Sequence, residues 1–136
     1  MKFKIEGTTA DKRLIAFGKT PEELFQNAAL GMYSEMVDLE EIQDADVREI
    51  RLEGAGDTEG LLVGWLNELL YLFDSEDFVG TRFCLSFPEE GALQAQVYGA
   101  IISQDLVFGE IKAATYHEIQ ILEKGGAFEA RIILDV

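Results

Sequence analysis

Few side chains in this 136-residue chain could do chemistry once sheer abundance is discounted. A nucleophile needs a base, and the single histidine, His117, is the side chain best suited to that role near neutral pH. In the strand predicted over Thr115–Leu122 it shares a face with Ile119 and Ile121. That is the pattern of a satisfied core or edge histidine rather than an open base. The single cysteine, Cys84, sits between Phe83 and Leu85 in another predicted strand and reads as inert. One cysteine allows neither an intramolecular disulfide nor a Cys₂ or Cys₄ zinc site. Gly-x-Ser-x-Gly elbows, P-loops and dinucleotide fingerprints are absent. The chain is therefore expected not to be an enzyme in its own right. Carboxylates are too numerous for count to mean much, but two stand out by position. Asp11 lies in a threonine-rich loop between apolar strands. Asp135 points away from the Phe128, Ala130, Ile132 and Leu134 face of the last strand, beside the terminal carboxylate of Val136. If the first loop meets the last strand, Asp11, Asp135 and the Val136 main chain bring three oxygen donors together, the ligand type that Ca²⁺ or Mg²⁺ takes. The simpler alternative is that Asp11 caps a turn and Asp135 is solvated.

The charge balance narrows the partner. Eleven basic against 26 acidic residues give a net charge of −15. Between Glu35 and Glu59 ten acidic residues face only Arg48 and Arg51. Nucleic acids are held mainly by neutralising phosphates, so strong direct nucleic-acid binding is not expected. A basic protein or a cation fits better, unless the acid serves only solubility. Met1 to Asp11 holds no apolar signal-peptide core, and no apolar run reaches the roughly 18 residues of a membrane span. No membrane partner is expected, and the cytoplasm is the expected location.

The elements that must position these groups read as one α+β domain over 1–136. About seven strands form a mostly antiparallel or mixed sheet, with two main helices at about 20–36 and 58–74. Thr20-Pro21-Glu22-Glu23 is a helix start, with Thr20 as N-cap and Glu23 completing a capping box. Leu24, Phe25, Ala28, Ala29, Met32, Tyr33 and Met36 form its core stripe. Asp57 or Thr58 caps the second helix, whose face is Leu61, Leu62, Trp65, Leu66, Leu69, Leu72 and Phe73. Glu68 falls at the rim of that face, and Asn67 is expected to point away. Strands are predicted near Lys2–Glu6, Leu14–Phe17, Val47–Glu53, Phe78–Phe87 and Ala92–Ile102, with a hairpin around Lys124-Gly125-Gly126.

Five blocks, taken in order, resemble one family. Thr9-Ala10-Asp11 resembles the end of a His-Thr-Ala-Asp motif. Gly18 to Ala29 and Trp65 to Asp74 are similar to the two helices of that family, and Lys112-Ala113-Ala114-Thr115-Tyr116-His117 and Ile133 to Val136 complete the set. The family is archease. The resemblance implies an accessory protein that activates the RNA-splicing ligase by promoting its guanylylation and turnover, in tRNA splicing and RNA repair. It implies a divalent metal, Ca²⁺ or Mg²⁺, at Asp11, Asp135 and the Val136 main chain. It also implies a role for Lys112 in reaching the partner's active site, with Glu68 a weaker candidate for the same cluster. Two departures stand out. Thr8 replaces the family's histidine, and Lys12-Arg13 stands where an apolar residue and a glycine are usual. Two cations beside Asp11 could neutralise the carboxylates without a metal. The alternatives are a stand-alone metal-dependent hydrolase using Asp11 and Asp135, and a general chaperone-like module.

Overall fold

A computed structural model describes residues 1–7 and 10–136. Thr8, set against a histidine by the resemblance, and Thr9 lie outside the described residues. The strands are β1 (Phe3–Gly7), β2 (Asp11–Gly18), β3 (Asp46–Leu52), β4 (Phe78–Ser86), β5 (Leu93–Ile101), β6 (Ala113–Ala114), β7 (Gln120–Lys124) and β8 (Ala127–Asp135). The helices are α1 (Pro21–Ser34) and α2 (Thr58–Glu76), and short 3₁₀ turns lie at Leu39–Glu41, after α1, and at Gln104–Leu106, between β5 and β6. The α+β class holds, and the strands divide between two sheets. One runs β1-β2-β8-β6, with β7 also paired to β8; the other runs β3-β5-β4. Every described strand pair is antiparallel. Among the described residues no helix is long and apolar enough to cross a membrane.

Both helices touch both sheets. α1 packs on β1, β2 and β8 and also on β4, while α2 packs on β3 and β4 and also on β6 and β7. One core therefore fills the space around the helix pair. Its centre is Trp65, fully buried, whose indole N–H donates to the Phe25 carbonyl at 3.0 Å. Its ring stands edge-on to Phe83 at 5.7 Å, and Phe25 stands edge-on to Phe87 at 5.0 Å. Such aromatic pairs add about 0.5–1.5 kcal/mol each beyond area burial.

The helix starts form as the sequence dictates. The Thr20 hydroxyl accepts from Glu23 N–H, and Pro21 occupies the first turn. The Glu23 carboxylate reaches one residue further back than a capping box requires and accepts from Lys19 N–H. Gly18 lets β2 run directly into this turn, since a Cβ there would lie 2.4 Å from the Leu24 nitrogen. Asp57 caps α2 by accepting from Gly60 N–H at 2.7 Å. α2 ends at Glu76, two residues beyond the expected end, because Asp77 stops it in the left-handed region (φ 58°).

The segment before β7 corrects the sequence reading. The expected strand from Thr115 does not form. Glu118 takes φ 54°, Ile119 N–H closes a turn on the Tyr116 carbonyl, and the strand begins only at Gln120. His117 is therefore an exposed turn residue and shares no face with Ile119 and Ile121.

Asn67 also departs from its expected place. It does not point away. Its amide donates to the Ala114 carbonyl at 3.0 Å and accepts from Ala114 N–H at 2.8 Å. A side chain thus acts as the ladder partner of β6 and ties it to α2. On the other side, Lys112 N–H donates to the Asp135 carbonyl at 2.7 Å, and Thr115 N–H donates to the Ile133 carbonyl. Removing Asn67 leaves the N–H and C=O of buried Ala114 short of partners. Asn67→Ala is expected to cost about 1–3 kcal/mol in denaturant unfolding, with loss of amide protection at Ala114. Tyr33 is the reverse case. It is fully buried, which pushes its hydroxyl titration far up against a smaller opposing effect of the Gly80 backbone, and among the described residues no hydrogen bond of good geometry satisfies it. Tyr33→Phe is expected to leave the unfolding free energy unchanged or slightly raised, because it removes a group that is buried without reward.

Candidate cation site at the end of the five-stranded sheet

The candidate site follows from the register of β2 against β8. Asp11 pairs with Asp135, Lys12 with Leu134, Leu14 with Ile132 and Ala16 with Ala130. Side chains alternate between faces, so burial of Leu14, Ala16, Ala130, Ile132 and Leu134 turns Asp11 and Asp135 to the other face together. Both are exposed. Directly opposite residues of an antiparallel pair hold their Cβ atoms about 4.5–5.5 Å apart, and like charges so placed repel. Asp11 is the first residue of β2 rather than a loop residue.

The chain's own cations do not relieve this pair. Lys12, on the core side of β2, reaches Glu35 with its Nζ 2.6 Å from the carboxylate. Glu35 caps the C-terminus of α1, where the last turn holds no basic residue. A cation is favoured at that end of a helix, and Lys12 supplies it. Arg13 reaches Glu118 at 3.5 Å. Among the described residues neither Asp11 nor Asp135 has an ion pair. The two cations that the sequence placed beside Asp11 as possible neutralisers are engaged elsewhere.

Lys112 and Val136 border the pair. Ala113 stands opposite Asp135 on its other side, so Ala113, Asp135 and Asp11 form one transverse row across β6, β8 and β2. The exposed Lys112 immediately precedes that row, and Val136 immediately follows Asp135. Glu68, half-buried on α2, has no hydrogen bond or ion pair to this cluster among the described residues. His117 is exposed on a loop that Glu118 ties to Arg13, and no described group hydrogen-bonds its ring. Cys84 is exposed on the other sheet.

A hard cation suits the donor set, which is two uncompensated carboxylates beside main-chain oxygens. Among the described residues no three His, Cys, Asp or Glu side chains gather closely enough to hold a metal. A cation here would therefore rest on two carboxylates, main-chain oxygen and water. Asn67 is the positioning residue that the sequence reading missed. Its signal was present: Val63 and Leu70, one helical turn to either side, are both buried.

Comparison with known proteins gives the family and the fold. Residues 3–136 match the family model described as the Archease protein family (MTH1598/TM1083). The chain is 39% identical over 134 residues to protein archease of Methanosarcina barkeri, covering 94% of this chain and 91% of the relative. It is 34% identical over 139 residues to protein archease of Archaeoglobus fulgidus, covering all of both chains. The solution structure of Methanobacterium thermoautotrophicum protein 1598 matches with TM-score 0.78 and 34% identity, covering 98% of each chain. The crystal structure of a Thermotoga maritima archease, there called a possible chaperone, matches with TM-score 0.69 at 21% identity over 98% of this chain and 96% of that one, and so speaks to fold alone. With nearly its whole length matched in sequence and in fold, the chain belongs to the archease family.

Proposed function

We propose that this protein is a cytoplasmic accessory factor that activates an RNA-splicing ligase, promoting its guanylylation and turnover. Asp11, Asp135 and the Val136 main chain would hold a divalent cation, Ca²⁺ or Mg²⁺, and Lys112 would contact the partner's active site. The observation that carries the reading is the Asp11–Asp135 pair in register, with no ion-pair partner among the described residues and Lys112 beside it, in an archease-family chain. The net charge of −15 suits a basic RNA enzyme as partner and disfavours direct RNA binding.

The residues divide the work. The carboxylates concentrate negative charge at one end of the sheet, where a bound cation supplies positive charge toward phosphate oxygens. Lys112 adds a flexible point charge that can meet a phosphate. Asn67 and the β8 backbone hold the chain beside Lys112 in place, so that its side chain searches a limited volume.

Two measurements test the reading. Guanylylation of the host's RNA-splicing ligase is followed at limiting divalent metal, with and without this protein. The protein is expected to accelerate it, and Asp11→Ala or Lys112→Ala to remove most of the gain, on the order of tenfold or more. No acceleration at any ratio sinks the activator function. Phosphoester turnover by the isolated protein, lost in Asp11→Ala, would replace it with a hydrolase. Aggregation suppression indifferent to Asp11, Lys112 and Asp135 would replace it with a general chaperone. Separately, Ca²⁺ or Mg²⁺ is expected to raise the thermal midpoint of the wild type, by about 2.7 kcal/mol of stabilisation at one hundred times the dissociation constant. Asp11→Asn should abolish that rise. In chelator it should match or exceed the wild type by about 0.2–1 kcal/mol, because the like-charge pair is gone.

A further inference from the structure

The surface around Phe108 has no role in the site described above. Among the described residues seven large apolar side chains stay well exposed, and three of them, Ile101, Leu106 and Phe108, fall in one short stretch from the end of β5 to the segment before β6. Phe108 is 68% exposed. It separates two clefts and lines both. One, of about 570 Å³, lies against the Leu30 and Leu39 side chains and is edged by Asp38 and Glu40. The other, of about 450 Å³, lies against Phe73 and Ile111 and is edged by Asp74, Asp77 and Glu110. Lys2 is the one cation lining either cleft.

Phe108 is held outward by a pinned backbone. Its N–H donates to the Met36 carbonyl at 2.9 Å, and Val107 bridges Val37. Gly109 is pressed so closely on α1 that a Cβ would meet the Glu35 carbonyl at 2.1 Å, a contact only glycine permits. An apolar side chain fixed in water by its own loop is pre-organised for a partner, because little ordering entropy remains to be lost on binding.

We propose that Phe108 and its two clefts form the docking anchor for a basic segment of the ligase, one that presents an apolar side chain between lysines or arginines; this rests on the activator function above. Charge selects the occupant. Five carboxylates edge the clefts against one lysine. A second copy of this chain would bring the same acid to the interface, and nucleic acid would bring phosphates. Only a basic protein surface gains from both the apolar contact and the rim. The placement fits the function as well. Three residues separate Phe108 from Lys112, so an anchored partner lies within about 15 Å of Lys112, which borders the Asp11–Asp135 pair.

The test is equilibrium binding of the host ligase to this protein labelled on the exposed Cys84, paired with guanylylation at saturating protein. Phe108→Ser should fold normally, since the side chain lies mostly in water. It is expected to weaken binding about tenfold or more while the rate at saturation stays near wild type. Asp11→Ala is expected to do the opposite, keeping affinity and losing rate. The combined variant Glu40→Gln, Asp74→Asn, Glu110→Gln should bind more slowly and with a shallower salt dependence. Unchanged affinity in Phe108→Ser, with a wild type that binds and accelerates, overturns the anchor and leaves the activator function standing. An unchanged salt dependence in the triple variant overturns the basic segment as occupant. A wild type that neither binds nor accelerates removes the activator function, and the ligase with it as occupant.

Discussion

The pairing of β2 with β8 is the constraint on which the rest of the molecule depends. Leu14 and Ala16 of one strand and Ala130, Ile132 and Leu134 of the other are fully buried against the helices. A slip of one residue would bring Arg13 and Ile15, or Arg131, Ile133 and Asp135, to the core side in their place. Burying a leucine or isoleucine is worth about 1.5–3 kcal/mol, so several such losses, with charge buried in their place, would exceed the stability of a domain this size. The register is therefore fixed by packing. With it comes, unavoidably, the placement of Asp11 opposite Asp135, and packing in the core dictates a charge arrangement on the opposite face.

The neighbouring cations follow the same alternation. Lys12 cannot reach Asp135 easily because its side chain leaves the strand on the core side, where the end of α1 offers Glu35. Arg13 leaves on the same side as Asp11, and its partner is Glu118 of the turn before β7. Both bridges tie the first residues of β2 to other elements, one to a helix end and one to a loop. The exposed Arg13–Glu118 pair contributes little to stability, about 0–1 kcal/mol, and the Lys12–Glu35 pair is itself part-buried. Their larger consequence is electrostatic, since they draw two cations away from the carboxylate pair.

Much of this was legible in the sequence where one kind of local physics decided the outcome. The starts of α1 and α2 depend on caps within three residues, and Thr20, Pro21 and Asp57 acted as read. The outward turn of Asp135 depends on strict alternation along β8, and it also held. Readings failed where a long-range contact outweighed a local pattern. Thr115 to Leu122 alternates like a strand, but Asn67 and β8 anchor the chain at Ala114 and Thr115, and a positive φ at Glu118 redirects it before β7 begins. Asn67 was misplaced because the stripe was drawn without Val63 and Leu70. With these included, the apolar surface of α2 wraps most of the helix, as a helix touching two sheets requires.

A like-charge pair that the fold enforces invites the question of why it is tolerated. Two carboxylates opposite each other on a solvated face cost about 0.2–1 kcal/mol, against a total of about 5–15 kcal/mol for a domain. That cost is small enough to survive and too small to shift a register fixed by several buried aliphatic side chains. If these carboxylates hold a divalent ion, as proposed, they would share one positive charge centre instead of repelling each other. The sign of their interaction would then depend on metal occupancy. The bonds of β6 to β8 at Asp135 and to α2 through Asn67 anchor the chain at Lys112 and just after it, and do not involve the Asp11 or Asp135 side chains. Under the proposed function such a fold would keep its geometry while its charge changed, which presenting a cation to a partner's phosphates would require.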